Sequence, residues 1–269
     1  MQNQPPGSSS TGQAPRGALS ALDPLRFFRV IQADPEALTK CGLTFLIFLI
    51  PVLGWVVVLG WMTYALRRAH ANVTPILLPA PTDLPTVLDF GEQGLKAFVV
   101  GLCWALPVVV FSLAFFGCLW FGVAGSVVAS VQGGGDMGGA FIAIAILVAF
   151  GAFLALAVFN TLLSIPAAIA TLRAEMSGVL AEGFAVSAVL GTFRAQLGAW
   201  ILNLLMLMLI QIAVTFVSSF IPIVGIVAAS YVLMLTRGFA MLSVYEYVLL
   251  ASGTEAFPIG PLAPAGMRG

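Results

Sequence analysis

Five long apolar blocks, at about 42–66, 97–131, 140–171, 199–219 and 222–251, contain almost none of the charge, which lies in the stretches between them and in the two tails. Only 8% of the 269 residues are Asp, Glu, Lys or Arg, against roughly 25% in a soluble domain. Sixty per cent are hydrophobic. A fold in water cannot hide that much apolar surface, which excludes a water-soluble domain, a disordered regulator or a coiled coil as the main body. A membrane span needs roughly 20 apolar residues. The chain therefore reads as an all-α integral membrane helical bundle.

The placement of the charges sets the expected layout. Arg26, Arg29 and Lys40 precede the first block, and Arg67, Arg68 and Lys96 bracket the loop after it. By the positive-inside rule both flanks face the cytoplasm, which a single crossing forbids. The step Ile50-Pro51-Val52-Leu53-Gly54 joins a helix-breaking proline to a permissive glycine. A reversal there makes the first block a hairpin of two short helices, each spanning about 24 Å. The alternative is one kinked helix over 42–66, giving five spans. The apices 132–139, without Lys or Arg, and 220–225, without any charge, point outward, and Arg173 and Arg194 mark the loop between blocks three and four as inward. The expected architecture is about six membrane-embedded helices in three hairpins, with both termini cytoplasmic. LIPVLG (49–54) is echoed by FIPIVG (220–225), and Arg67 and Arg237 follow the two prolines by sixteen and fifteen residues. Such internal symmetry is common in membrane folds built from repeats.

Amphipathic lead-ins precede the hairpins at 24–33, 84–96 and 184–197, where they suit the membrane interface. Asp23-Pro24 and Asp34-Pro35 read as helix starts. The loop 71–86, with four prolines, reads as an extended interfacial segment that could dock a partner. Residues 1–20 are rich in Pro, Gly and Ser and read as a disordered tail. Residues 21–251 form a single transmembrane helical domain, and 252–269 a flexible C-terminal tail.

The runs IPVLGWVVVLGWMTYALRRAH, LPTVLDFGEQGLKAFVVGLCWALP and SIPAAIATLRAEMSGVLAEGF resemble domain-of-unknown-function family 4013, over roughly 25–250. Pro51, Gly54, Leu84, Pro85, Asp89, Gly91, Gly94, Lys96, Pro107, Pro166, Ala167 and Ala168 carry the resemblance. It implies a small multi-pass protein of a prokaryotic cytoplasmic membrane. The family has no assigned activity, so it implies no catalytic residue.

Chemistry has few places to reside. Eleven basic and eleven acidic residues form no basic block, so nucleic acid is excluded as a partner. His70 is the single histidine, which excludes an HExxH zinc site. Cys41, Cys103 and Cys118 form no CxxC and read as small apolar residues. No phosphate-binding loop, GxSxG or paired intraspan carboxylates occur. No cofactor and no catalytic residue is expected, and the chain reads as non-enzymatic. The orderly polar residues are Asn160 and Ser164 in block three, and Asn203, Gln211, Thr215 and Ser218 in block four. They suit interhelical hydrogen bonds or, alternatively, a polar path between the two blocks. Arg237 is a buried charge if 222–251 is one centred span; the echo with Arg67 instead puts it at the cytoplasmic rim, leaving Glu246 solvated or interfacial. A small-residue ridge, Ala114, Cys118, Gly122, Ser126 and Ser130, with Gly151 and Ala155 opposite, suits close helix packing. The expected partners are membrane lipids, a second copy of the chain or another membrane protein. Action through lipid or protein contacts is expected first, and a transporter or channel component second.

Overall fold

The computed structural model describes residues 23–132, 137–220, 224–252 and 259–267. Among them there are helices and no strands: α1 (Arg26–Ala33), α2 (Ala37–Phe48), α3 (Leu53–His70), α4 (Leu84–Gln132), α5 (Met137–Ser177), α6 (Leu180–Gly183), α7 (Val186–Ala195), α8 (Leu197–Ser218) and α9 (Val224–Ser252). The expected disordered stretch 1–20 lies outside the described residues.

Both Asp-Pro steps set up helices, two residues later than a simple N-cap would. The Asp23 carboxylate accepts the Leu25 N–H at 3.2 Å, and the Asp34 carboxylate accepts the Glu36 N–H at 2.9 Å. Each aspartate closes a turn with its own backbone, and α1 and α2 start just beyond it. The first apolar block does break, at Leu49–Val52. Val52, not Gly54, takes the left-handed conformation, with φ 62°. Gly54 is needed for proximity instead: a Cβ there would lie 1.9 Å from the Ile47 carbonyl oxygen. Thr44 of α2 and residues near the start of α3 then lie at one level along α9, as the Thr44–Tyr231 and Phe48–Trp55 contacts require.

Helices α3 and α9 run parallel in a fixed register. Gly238 faces Met62, and Glu246 meets His70, eight residues further along each helix. α1 lies across this pair, burying Phe27 and Val30, with the Phe27 ring 5.7 Å from Phe239. The first lead-in is thus packed onto α9. α7, the third lead-in, buries Val189 and precedes a break at Gln196. The second does not form a separate helix. Residues 84–96 are the first turns of α4, which continues through Pro107 without interruption. Asp83 starts it, accepting the Thr86 N–H at 3.1 Å.

The expectation of about six spanning helices is not met. Among the described residues three helices are long and apolar enough to cross a membrane: α4 over Leu84–Gly122, α8, and α9 over Gly225–Leu249. α2 has 12 residues, about 18 Å by helix rise and too short for a ~30 Å core. α3 ends in Arg67, Arg68 and His70. The upper half of α5 lies largely outside the described side chains. α4 and α5 have 49 and 41 residues, about 73 and 61 Å by rise, so each is far longer than one crossing needs.

Of the expected ridge, Cys118, Ser126, Ser130 and Ala155 lie outside the described side chains. Cβ atoms at Gly122 or Gly151 would meet open space. The intimate crossing joins α3 and α4, where a Cβ on Gly60 would lie 1.7 Å from the Phe90 oxygen and one on Gly94 would lie 1.8 Å from the Val56 oxygen. The loop 71–83 also packs inward: Leu77 and Leu78 are buried, and the Trp61 indole donates to the Leu78 oxygen at 2.9 Å.

Gly60→Ala or Gly94→Ala is expected to push α3 from α4 and destabilise the fold by about 1–3 kcal/mol, the usual cost of overpacking. Gly91→Ala, which meets open space, is the control; equal thermal midpoints for all three in detergent would refute the close crossing. Arg29 and Thr82 sit at the same end of the bundle. With the native cysteines replaced, Arg29→Cys and Thr82→Cys are expected to react with an impermeant maleimide from the same membrane face. Labelling from opposite faces would rule out the hairpin.

Candidate functional site

The ion pairs of the described residues gather at the helix feet. Glu246, near the end of α9, is 4% exposed and is shared. Arg26 of α1 donates to one carboxylate oxygen, and His70 Nδ1 lies 2.8 Å from the other. The Arg26 guanidinium also donates to the Ala69 oxygen. Glu246 is therefore not solvated: it is a buried acid that ties α1 and α3 to α9. Lys40 pairs with Asp34 at 2.8 Å, and Arg173 with Glu182 at 2.6 Å.

Arg67 is the second foot-level hub and is fully buried. Its Nε donates to the Glu175 oxygen of α5 at 2.6 Å, Nη2 to the Gln93 side chain of α4 at 2.9 Å, and Nη1 to the Pro261 oxygen at 3.0 Å. The Tyr64 ring lies 5.3 Å from the guanidinium carbon. The Gly260 N–H donates to the Met176 oxygen, and the Ala265 N–H to Asp89. A segment expected to be a loose tail is thus held at 259–267 against α4 and α5. Gly260 sits so close to Arg67 that a Cβ would be 2.9 Å from the guanidinium carbon.

Above these feet lies a cavity of about 830 Å³ between α3, α4, α5, α8 and α9. Its wall is mainly apolar, with Val108, Leu204, Leu207 and Met208 among the lining residues. Asn160 and Ser164 of α5 and Gln211 of α8 reach it together, so half of the expected polar set converges there. The other half does not. Asn203 is buried and turns to the Met241 sulfur at 3.8 Å. Thr215 is exposed on the outer part of α8, and the Ser218 hydroxyl donates to the Thr215 oxygen. Asn203 thus joins α8 to α9 and Ser218 bonds within α8, while Asn160, Ser164 and Gln211 line space.

Two ionisable groups also line that space, Arg237 and Glu175, whose buried carboxyl has its pKa pushed up to about 8 by desolvation. Arg237 is twelve residues from either end of the apolar stretch Gly225–Leu249, and nine residues before Glu246, about 14 Å by helix rise. The register that pairs Gly238 with Met62 puts Arg237 beside Trp61, six residues deeper than Arg67. The echo is therefore not a structural equivalence: Arg237 lies midway along the apolar stretch of α9. Its side chain is exposed, and it is exposed to the cavity; among the described residues it makes no ion pair or hydrogen bond. Glu175 was missed in the sequence because it follows the apolar block in the segment LRAEMS, which reads as a polar loop. The helix simply runs on to Ser177, and four residues after Thr171 the glutamate returns to the cavity face.

Comparison with known proteins places residues 43–223, about two thirds of the chain, under a family model described as "Protein of unknown function (DUF4013)". No curated protein and no solved structure matches.

Arg67→Ala removes the donor of one buried acceptor, the Glu175 oxygen, and of two part-buried ones, Gln93 Oε1 and the Pro261 oxygen. Leaving the buried acceptor unsatisfied costs about 1–3 kcal/mol, and Arg67→Lys cannot reproduce the planar fork. Both variants are expected to free the 259–267 segment, seen as faster maleimide labelling of a Leu262→Cys reporter. Unchanged labelling would show that Arg67 does not hold the tail.

Proposed function

Because the chain belongs to the DUF4013 family of unknown function, and that description carries no activity, we propose a function from the site itself: a non-enzymatic multi-pass membrane protein that acts through lipid contacts. One observation carries this reading. The cavity among α3, α4, α5, α8 and α9 is walled mainly by aliphatic side chains, while the outward faces of α8 and of the middle of α4 are apolar and exposed as well, as at Leu205, Leu209, Phe216, Leu113 and Phe116. A chamber of about 830 Å³ is of the size that takes small ligands, about 300–1,000 Å³. An apolar chamber set among helices that face lipid is supplied from the bilayer. The charged feet and the lysine and arginine content of their loops support a cytoplasmic placement for that end, and the family resemblance supports a prokaryotic cytoplasmic membrane.

The second reading is a transporter or channel component. The convergence of Asn160, Ser164 and Gln211 on the cavity favours it. The two readings differ in what moves. A lipid-contact protein retains an alkyl-chain molecule; a transporter passes a polar solute.

Native mass spectrometry of the full chain released from membranes tests the first reading. Alkyl-chain adducts are expected on the wild type and a marked loss of them on Met208→Trp, which fills the cavity. Equal adducts on both, or none on either, would overturn the chamber. Solute flux into proteoliposomes that Met208→Trp abolishes, without adducts, would establish the second reading in its place.

A further inference from the structure

Arg237 is the group in this cavity that the packing of the chain leaves unexplained. A cation in the middle of an apolar helix is costly, and such residues pair with one another, with backbone oxygens or with a ligand. Arg67 illustrates the internal solution, with three oxygen partners. Glu246 illustrates another, with two basic partners. Arg237 has neither, although Glu175 lines the same cavity; the two make no ion pair. The guanidinium carries five donors, no acceptor and a permanent charge, so its partner is an anion. A planar fork of this kind suits the two oxygens of a carboxylate or phosphate.

The surroundings restrict the rest of that partner. Leu204, Leu207, Met208, Val108 and Val109 give the wall its character, and none can hydrogen-bond a sugar or a peptide. A free inorganic anion would leave this apolar wall without a partner. The polar groups present are neutral and few: Gln211 stands one turn beyond Leu207, the residue that the Asn203–Met241 contact places opposite Arg237. The Thr171 hydroxyl is already spent on the Ala167 oxygen and the Ser230 hydroxyl on the Ile226 oxygen. Glu175 marks the foot end of the cavity and offers an anion no positive charge there, which leaves Arg237 to hold a negative head group.

We propose that the cavity binds a single-chain amphiphile, its carboxylate or phosphate head on Arg237 with Gln211 beside it, and its alkyl chain along Leu204, Leu207, Met208 and Val108. The proposal rests on the lipid-contact reading above and names the ligand class of that same chamber. The cavity thus selects among lipids by head-group charge.

The test uses the full chain in phosphatidylcholine vesicles and two photoactivatable sixteen-carbon diazirine probes, one ending in a carboxylate and one in an alcohol. Cross-links are mapped by mass spectrometry. Both probes are expected to label α8 over 204–211 and α9 over 230–241, the carboxylate probe more strongly. Arg237→Gln is expected to lower carboxylate labelling about tenfold, the weight of one charge-assisted contact, and to leave alcohol labelling unchanged. Arg237→Lys keeps most of it, which controls for loss of folding. Leu207→Trp, which fills the wall without touching charge, abolishes labelling by both. Hexadecyl phosphate is expected to compete and inorganic phosphate not to. Equal carboxylate labelling of wild type and Arg237→Gln would overturn the head-group assignment while leaving the lipid chamber standing. Competition by inorganic phosphate alone would also overturn it, in favour of a free anion. No labelling of α8 and α9 by either probe would remove the chamber reading itself.

Discussion

A charge removed from water must be held by the chain, and the Arg67 guanidinium does this with oxygen atoms from three separate segments. It reaches α5 through the Glu175 carbonyl, α4 through Gln93 and the C-terminal segment through Pro261. The acceptors are carbonyl groups and an amide, so the positive charge is compensated by dipoles, with no carboxylate bonded to it. Such a buried cation is worth little as a net source of stability, but it strongly disfavours any arrangement in which one of the three segments moves away. The feet of α3, α4 and α5 are positioned by that demand. Glu246 does the same for α1, α3 and α9 with opposite sign.

The cavity is a consequence of those two knots. With the feet gathered and α3 pressed onto α4 at Gly60 and Gly94, the helices leave space between α4, α5, α8 and α9. Side chains that are short or straight, such as Ala105, Ala167 and Gly238, line it. Hydrophobic burial cannot close such a gap in a membrane, because lipid tails are as apolar as leucine and the driving force is packing alone. A ligand of the bilayer's own chemistry fills it without an energetic conflict, and Arg237 gives that ligand one preferred end.

Membrane class and family resemblance were legible without coordinates, as was the break inside the first apolar block. The charge pattern carried the feet correctly to one end, because ions collect where water is. The convergence of Asn160, Ser164 and Gln211 was half legible: spacing on a helix tells which residues share a face, but not what that face meets. Asn203 and Gln211 are eight residues apart on α8, and one touches Met241 while the other lines space. Small residues follow the same rule. Glycine permits a close approach, but only a neighbouring backbone makes one, and α3 makes it at Gly94 rather than at Gly122.

By itself the sequence determined the helical membrane class, the proline and glycine break after Leu49, and the confinement of nearly all charge to the helix feet. These follow from local rules: backbone groups in lipid must bond within their own helix, and ions remain near water. Tertiary structure decided the rest. Glu175 and Arg237, sixty-two positions apart in the chain, line one cavity because α5 and α9 run alongside one another. Arg67 and Arg237, alike in spacing from a proline, differ in fate because α4, α5 and the C-terminal segment surround one, and an open space faces the other. Which partner a charge finds depends on helices distant in sequence, and no local pattern carries that information.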